Sequence, residues 1–371
     1  MQLTPSPRLE ANGELCTPAS KTGRGFPLLC GTHFLQRQFK CQYVATFHRI
    51  SRETTGARNS YLLAMRMRRA FAGFAGVAAL ASGLSGAIGS GLGPWILRPM
   101  RKPLTPALIA KADAIFTRDG VRREEFDVRA PDGVMLRGWK VRAQTPNGNW
   151  VLLFHGIVDN RAEMASFADF LLRDGYGVVM MDAREQGASD GTLATFGWKE
   201  RWDTKAVIDA LYASEEPRNV FELGESMGAA IALQSAAVDP RIQAVVAEAS
   251  FSSLRNVSYD YAGLDVSPLL GETLFWPATY FALRSAEKQG GFRVDDVSPE
   301  RAVAERPFAV LFICGTRDRT IPCRHSEEIY RAASGPKQLW VVPGAGHTMA
   351  FGTEPAEFRS RVLAFFASNG K

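Results

Sequence analysis

Three features of the 371-residue chain predict an α/β fold with a doubly wound, mostly parallel sheet. From Gly120 onward, short apolar runs alternate with longer stretches of helical spacing. Two of the runs, Trp150–Phe154 and Gly177–Met181, are apolar throughout, as expected of strands buried on both faces. A third, Val220–Leu223, leads directly into Gly224-Glu225-Ser226-Met227-Gly228, a strand, a sharp turn and a helix start.

Taken in order, the body opens with Glu124–Arg129 and Val134–Val141 around Pro131-Asp132-Gly133, a hairpin expected to form an antiparallel edge. A helix is predicted over Arg161–Arg173, capped by Asp159 or Asn160, and another from Trp198 to Ala213. Small and apolar residues make a helix of Ala229–Ala237, and Ile242–Ala247 is the next strand. Phe308–Cys314 and Gln338–Val342 are strands separated by a helix at Glu327–Ala333, and a last helix covers Pro355–Ala367. Between Ser252 and Glu305 the alternation lapses into an aromatic-rich, helical stretch (Tyr259, Tyr261, Phe275, Trp276, Tyr280, Phe281). It is too long for an unstructured loop and reads as a small cap, about 252–305, inserted in a domain of 120–371. Its aromatics either line an acyl pocket or simply pack.

Hydrophobic residues make up 46% of the chain, the content of a protein with a real core. Residues 1–70 carry 11 Lys/Arg against 3 Asp/Glu, net +8, and the rest carries 33 against 35, net −2. The body lacks the basic face that nucleic acid would require, so no nucleic-acid partner is expected. Residues 1–60 have no sustained helical or strand periodicity, and 1–64 are expected to be disordered or an extension upstream of a start at Met65 or Met67. At 65–102 a basic cluster (Met65-Arg66-Met67-Arg68-Arg69) precedes 27 uncharged residues, Phe71–Leu97, closed by Arg98, Arg101 and Lys102. That run is long enough to span a bilayer, and it is expected to anchor the chain in a membrane with the body outside the cytoplasm. A signal peptide cleaved near Ala79-Leu80-Ala81, leaving a secreted body, is the rival reading. Residues 103–119 read as a linker helix, with helical spacing over Thr105–Phe116.

A serine at such a turn acts as a nucleophile only with a base and a group to orient that base. The body offers His155, His325 and His347. His347 lies in a glycine-rich loop after the last strand, and Asp318 in the loop after the strand before it. Both loops fall at the carboxyl edge of the sheet, where open α/β sheets bind ligands. Ser226 is therefore assigned as nucleophile, His347 as base and Asp318 as its orienter. Gly224 and Gly228 are needed where strand and helix approach. The N–H groups of Met227 and Ile157 are the candidate oxyanion donors, with His155 and Gly156 shaping the latter's loop. His325 is expected to be a helix cap or a solvated residue. No spacing of His, Cys or acidic residues suits a metal, and no glycine pattern suits a dinucleotide, so no cofactor is expected. Cys314 and Cys323 read as free thiols or packing residues, with a disulfide open to them after export.

The stretches LLFHGIVDNR (Leu152–Arg161), MDAREQGASDG (Met181–Gly191), LGESMGAA (Leu223–Ala230), ICGTRDRTIP (Ile313–Pro322) and VPGAGHT (Val342–Thr348) resemble the α/β-hydrolase superfamily. The resemblance is to its bacterial branch of lysophospholipase-like and serine-aminopeptidase-like proteins. It covers nearly the whole body and none of residues 1–100. It implies an eight-stranded sheet, the triad on Ser226, Asp318 and His347, and cofactor-free hydrolysis of an acyl ester or amide. Members with an N-terminal membrane segment exist. One departure stands out: the family's Asp-x-Arg-Gly-His-Gly-x-Ser has Glu185-Gln186 here in place of Gly-His, which puts that loop's contacts to the cap in doubt.

The expected function is a membrane-anchored serine hydrolase acting on a small-molecule ester, lipid-derived or lysophospholipid-like. A peptidase or amidase would need cap carboxylates, such as Asp260, Asp265 or Glu272, to hold a free amine. An acyltransferase would share the same acyl-enzyme step. A non-enzymatic binding module usually lacks a triad member, and none is missing here.

Overall fold

The computed structural model describes residues 63, 65–73, 76, 79–80, 82–264 and 273–371. The chain divides into two compact units, residues 1–75 and 76–371. In the first, residues 63 and 65–73 are described and are helical. The expected disorder of 1–64 otherwise falls outside the described residues.

In the second unit eight strands form one sheet, in the order β1-β4-β6-β5-β7-β8-β9-β10. They are β1 (Arg123–Glu125), β4 (Gly138–Val141), β5 (Asn149–Phe154), β6 (Gly177–Met181), β7 (Asn219–Glu225), β8 (Ile242–Glu248), β9 (Ala309–Gly315) and β10 (Lys337–Val342). The first two pairings in that order, β1–β4 and β4–β6, are antiparallel and all the others are parallel, so the antiparallel edge falls where the hairpin signal put it. The Pro131-Asp132-Gly133 turn itself joins a separate two-stranded ribbon, β2 (Val128–Arg129) and β3 (Met135–Leu136).

Both faces of the sheet are covered, which is why its central strands are apolar at every position. One face carries α2 (Pro106–Arg118), α3 (Ala165–Arg173) and α10 (Pro355–Asn369), with Phe116, Leu171 and Phe366 in its core. The other carries α4 (Glu200–Ser214), α5 (Met227–Val238), α8 (Pro299–Glu305) and α9 (Arg324–Ala332). The segment expected to be a linker is thus part of the body: Thr105 caps α2, and Ala112 and Phe116 are buried against the sheet. The helix expected from Arg161 begins as a 3-10 turn, Arg161–Met164, capped by Asn160, whose Oδ1 accepts the Ala162 N–H at 3.0 Å.

The cap contains α6 (Leu254–Gly263) and α7 (Trp276–Gly290), and residues 265–272 lie outside the described residues. Trp276 and Tyr280 stack at 5.5 Å, but Tyr261, Trp276 and Phe281 remain exposed. The apolar run ahead of the body supplies α1, residues 82–96, which lies on α7. A Cβ on Gly89 would come within 2.1 Å of the Ala278 carbonyl oxygen, and one on Gly93 within 2.3 Å of the Ser285 Cβ. The small residues that weaken this run as a spanning segment are thus the ones that let two helix backbones meet. Leu97, just beyond α1, is fully buried in the sheet's core. Among the described residues no helix is long and apolar enough to cross a membrane.

One buried group opposes folding. Glu222, in the middle of β7, is fully buried and neither carboxyl oxygen has a partner among the described residues. Burial, with Asp239 nearby, pushes its pKa well above the usual carboxylate range. The folded state therefore keeps the proton while the unfolded chain releases it near pH 4.5, so stability is lost as pH rises from there toward the folded-state value. Glu222→Met, which fills similar volume, is expected to raise stability at pH 8 by about 1–3 kcal/mol, with a smaller gain at pH 5. Thermal unfolding at the two pH values checks this, and an equal shift at both would contradict it.

Candidate active site

Ser226 sits between β7 and α5 with φ 54°, a strained value for a residue other than glycine. The turn is held by the Ser226 N–H, which donates to the Glu248 carbonyl at 2.8 Å. The flanking glycines are sterically required. A Cβ on Gly224 would lie 2.5 Å from the Gly228 carbonyl group, and one on Gly228 would lie 2.3 Å from the Phe154 carbonyl oxygen. Gly228 thereby also brings the end of β5, and the loop after it, against the first turn of α5.

The loops after β9 and β10 deliver the other two residues. His347 Nε2 is 3.0 Å from Ser226 Oγ, and His347 Nδ1 is 2.8 Å from Asp318 Oδ2. Asp318 is oriented in turn, since its Oδ1 accepts the N–H groups of Thr320 at 2.9 Å and Ile321 at 2.8 Å. Partners on both sides of the ring imply the tautomer with hydrogen on Nδ1, which leaves Nε2 free to accept the serine proton. Both Ser226 and Asp318 are buried, and the imidazole side chain is 24% exposed. Behind the serine, Glu248 accepts the Ala350 N–H at 2.8 Å, and its pKa is pushed up to about 7, chiefly by burial.

The loop after β5 crosses beside Ser226. A Cβ on Gly156 would lie 3.7 Å from the Ser226 Cβ, an ordinary contact that would occupy the space next to the nucleophile. Buried His155 ties this loop to the next one: its Nδ1 is 2.7 Å from the Gly156 carbonyl, and its Nε2 accepts the Ala183 N–H at 3.1 Å. Met227 is the first residue of α5, where an N–H has no partner within the helix. Among the described residues no group of His, Cys, Asp and Glu could hold a metal ion.

Four residues stand differently from what the sequence suggested. His325 is neither a solvated residue nor a helix cap: it is fully buried, with Nδ1 2.9 Å from Ser252 Oγ and Nε2 2.6 Å from Asp260 Oδ2. This second Ser–His–Asp array pins α6 of the cap to α9, and Ser252 is too deeply buried for a substrate to reach. Asp260, which also binds Arg324, is therefore occupied and not free to hold a substrate amine, while Asp265 and Glu272 lie outside the described residues. Cys314 and Cys323 are joined in a disulfide with Cα atoms 5.3 Å apart, so they are not free thiols. The bond closes the loop that bears Asp318. Nothing in the spacing of these residues signalled the Ser252–His325–Asp260 array, because Ser252 and Asp260 belong to the segment of α6 and His325 to α9.

The family described as "Serine aminopeptidase, S33" matches residues 145–289, which include the elbow but neither Asp318 nor His347. The chain is 25% identical to the uncharacterised protein YqkD of Bacillus subtilis over 68% of this chain and 82% of that one. It is 27% identical to the uncharacterised protein YfhR of Escherichia coli K12 over 69% of this chain and 84% of that one. In fold it is similar to the Pyrococcus furiosus esterase Pf2001, with TM-score 0.60 and 23% identity, covering 74% of this chain and 98% of that one. The Pyrococcus horikoshii acylaminoacyl peptidase is similar over 68% of this chain and 42% of its own, with TM-score 0.53 and 16% identity. The sheet order, the elbow after β7 and the likeness to these solved structures show an α/β-hydrolase fold, and residues 145–289 are similar to the serine aminopeptidase family.

Proposed function

We propose that the protein is a serine hydrolase that cleaves a carboxylic ester through an acyl-enzyme intermediate. The observation that carries the reading is the chain of contacts from Ser226 Oγ to His347 (3.0 Å) and from His347 to Asp318 (2.8 Å). Ser226 Oγ attacks the acyl carbon while His347 Nε2 takes its proton, then returns it to the leaving alcohol. Asp318 stabilises the imidazolium, and the N–H groups of Met227 and Ile157 receive the oxyanion. Water, activated by the same histidine, releases the acid and regenerates the serine.

An ester is favoured over a peptide because Asp260 is already paired with Arg324 and His325. A lipid-derived acyl chain is supported by the exposed aromatics of the cap and by the outer face of α1, where Leu84, Ile88, Leu92 and Trp95 are exposed. That face and the basic residues around it support a seat at a membrane surface. The Cys314–Cys323 disulfide supports a location outside the cytoplasm.

The test is a panel of p-nitrophenyl esters of graded chain length beside aminoacyl p-nitroanilides. Turnover of the esters, with an optimum above acetate, is the expected result. Cleavage of the anilides alone would replace the ester reading with an aminopeptidase.

A further inference from the structure

The loop carrying Ile157 is held in an unfavourable shape by a residue that departs from the family pattern. Val158 has φ 63°, a left-handed value that is costly for a β-branched side chain. Something must hold it there, and the Val158 N–H donates to Gln186 Oε1 at 3.1 Å. Gln186 is fully buried, and its amide nitrogen donates to Glu185 Oε2 at 2.7 Å and to the Glu185 carbonyl at 3.2 Å. The Glu185 carboxylate faces Arg101 Nε at 3.5 Å. Arg101 in turn donates to the carbonyls of Ser189 at 3.0 Å and Gly191 at 2.6 Å. The next residue, Lys102, reaches Asp159 at 3.0 Å and Glu163 at 2.6 Å. Two basic residues that read from sequence as the flank of a membrane segment thus brace the loops after β6 and β5, next to the nucleophile's strand.

We propose that Gln186, braced by Glu185 and Arg101, is a positioning residue for the oxyanion loop. It fixes the Ile157–Val158 peptide, and through it the preceding Gly156–Ile157 peptide, so that the Ile157 N–H faces the site before substrate arrives. This rests on the serine-hydrolase reading above. Gln186 touches no reacting atom; it acts through the backbone of the loop. The resemblance puts histidine at this position, which could also accept the Val158 N–H.

The experiment uses the full chain and a p-nitrophenyl ester that the wild type turns over. Gln186→Leu keeps the bulk and removes the acceptor. It is expected to lower kcat by about 10–100-fold, leave KM within about 3-fold and leave the pH profile of kcat/KM unmoved, since His347 and Asp318 are untouched. Gln186→His is expected to recover most of the lost kcat. Arg101→Met, at a partly exposed position, leaves Gln186 in place and is expected to cost about 3–10-fold in kcat alone, which keeps the test decisive should the leucine variant fail to fold. A Gln186→Leu enzyme with wild-type kcat, a loss confined to KM, or a histidine variant as poor as the leucine one would each overturn the proposal. A folded wild type with no turnover at all would instead remove the serine-hydrolase reading, and this inference with it.

Discussion

Ser226→Ala is expected to lower ester turnover by about 10⁶-fold, leaving only the residual rate that binding and the oxyanion donors supply, while thermal unfolding stays within a degree or two of the wild type. The size follows from the geometry. Removing Oγ takes away the nucleophile that His347 Nε2 is placed to activate, and no other described serine lies against that nitrogen. The fold should survive because the elbow is set by its glycines and by the Ser226 backbone bond to Glu248, not by the hydroxyl. Steady-state kinetics beside a melting curve checks both halves. Retained turnover in a folded variant would remove Ser226 from the chemistry.

Asp318→Asn is expected to cost about 10⁴-fold in kcat, with the fold again intact. The reason lies in the orienting bonds. Asp318 Oδ1 accepts two backbone N–H groups, from Thr320 and Ile321, so an asparagine must keep its carbonyl oxygen on that side. Its amide nitrogen then takes the place of Oδ2 and donates to His347 Nδ1. The imidazole is forced to carry its hydrogen on Nε2, facing Ser226, where it can no longer accept the serine proton. A loss of 10-fold or less would mean that another acid orients the histidine. A kinetic pH profile would identify the change in tautomer as a loss of kcat without a simple shift of the optimum.

The elbow and the other two members of the site were legible because each stands in a loop directly after a strand, and the strands are the strongest signal in the chain. Gly224 and Gly228 announced a close approach that the structure realises at the backbone of β5. The contacts that brace the site were harder to see. Glu185 and Gln186 registered only as a departure from a pattern. Their purpose depends on Arg101, more than 80 residues earlier, in a stretch whose charge suggested membrane instead. His325 was misjudged because burial cannot be read for an isolated polar residue when its partners, Ser252 and Asp260, lie in another element. The run of α1 was read as a spanning segment, whereas its Gly89 and Gly93 serve a close contact with α7. Periodicity reveals which face of a helix is small, but not what lies against it.

The central claim is that Ser226 is a live nucleophile. Treating the full chain with a fluorophosphonate and mapping the adduct by peptide mass spectrometry tests it most directly. The account predicts one adduct, on the peptide that carries Ser226, and none in the Ser226→Ala chain. An unlabelled but folded wild type, or a label that persists in the alanine variant, would contradict it.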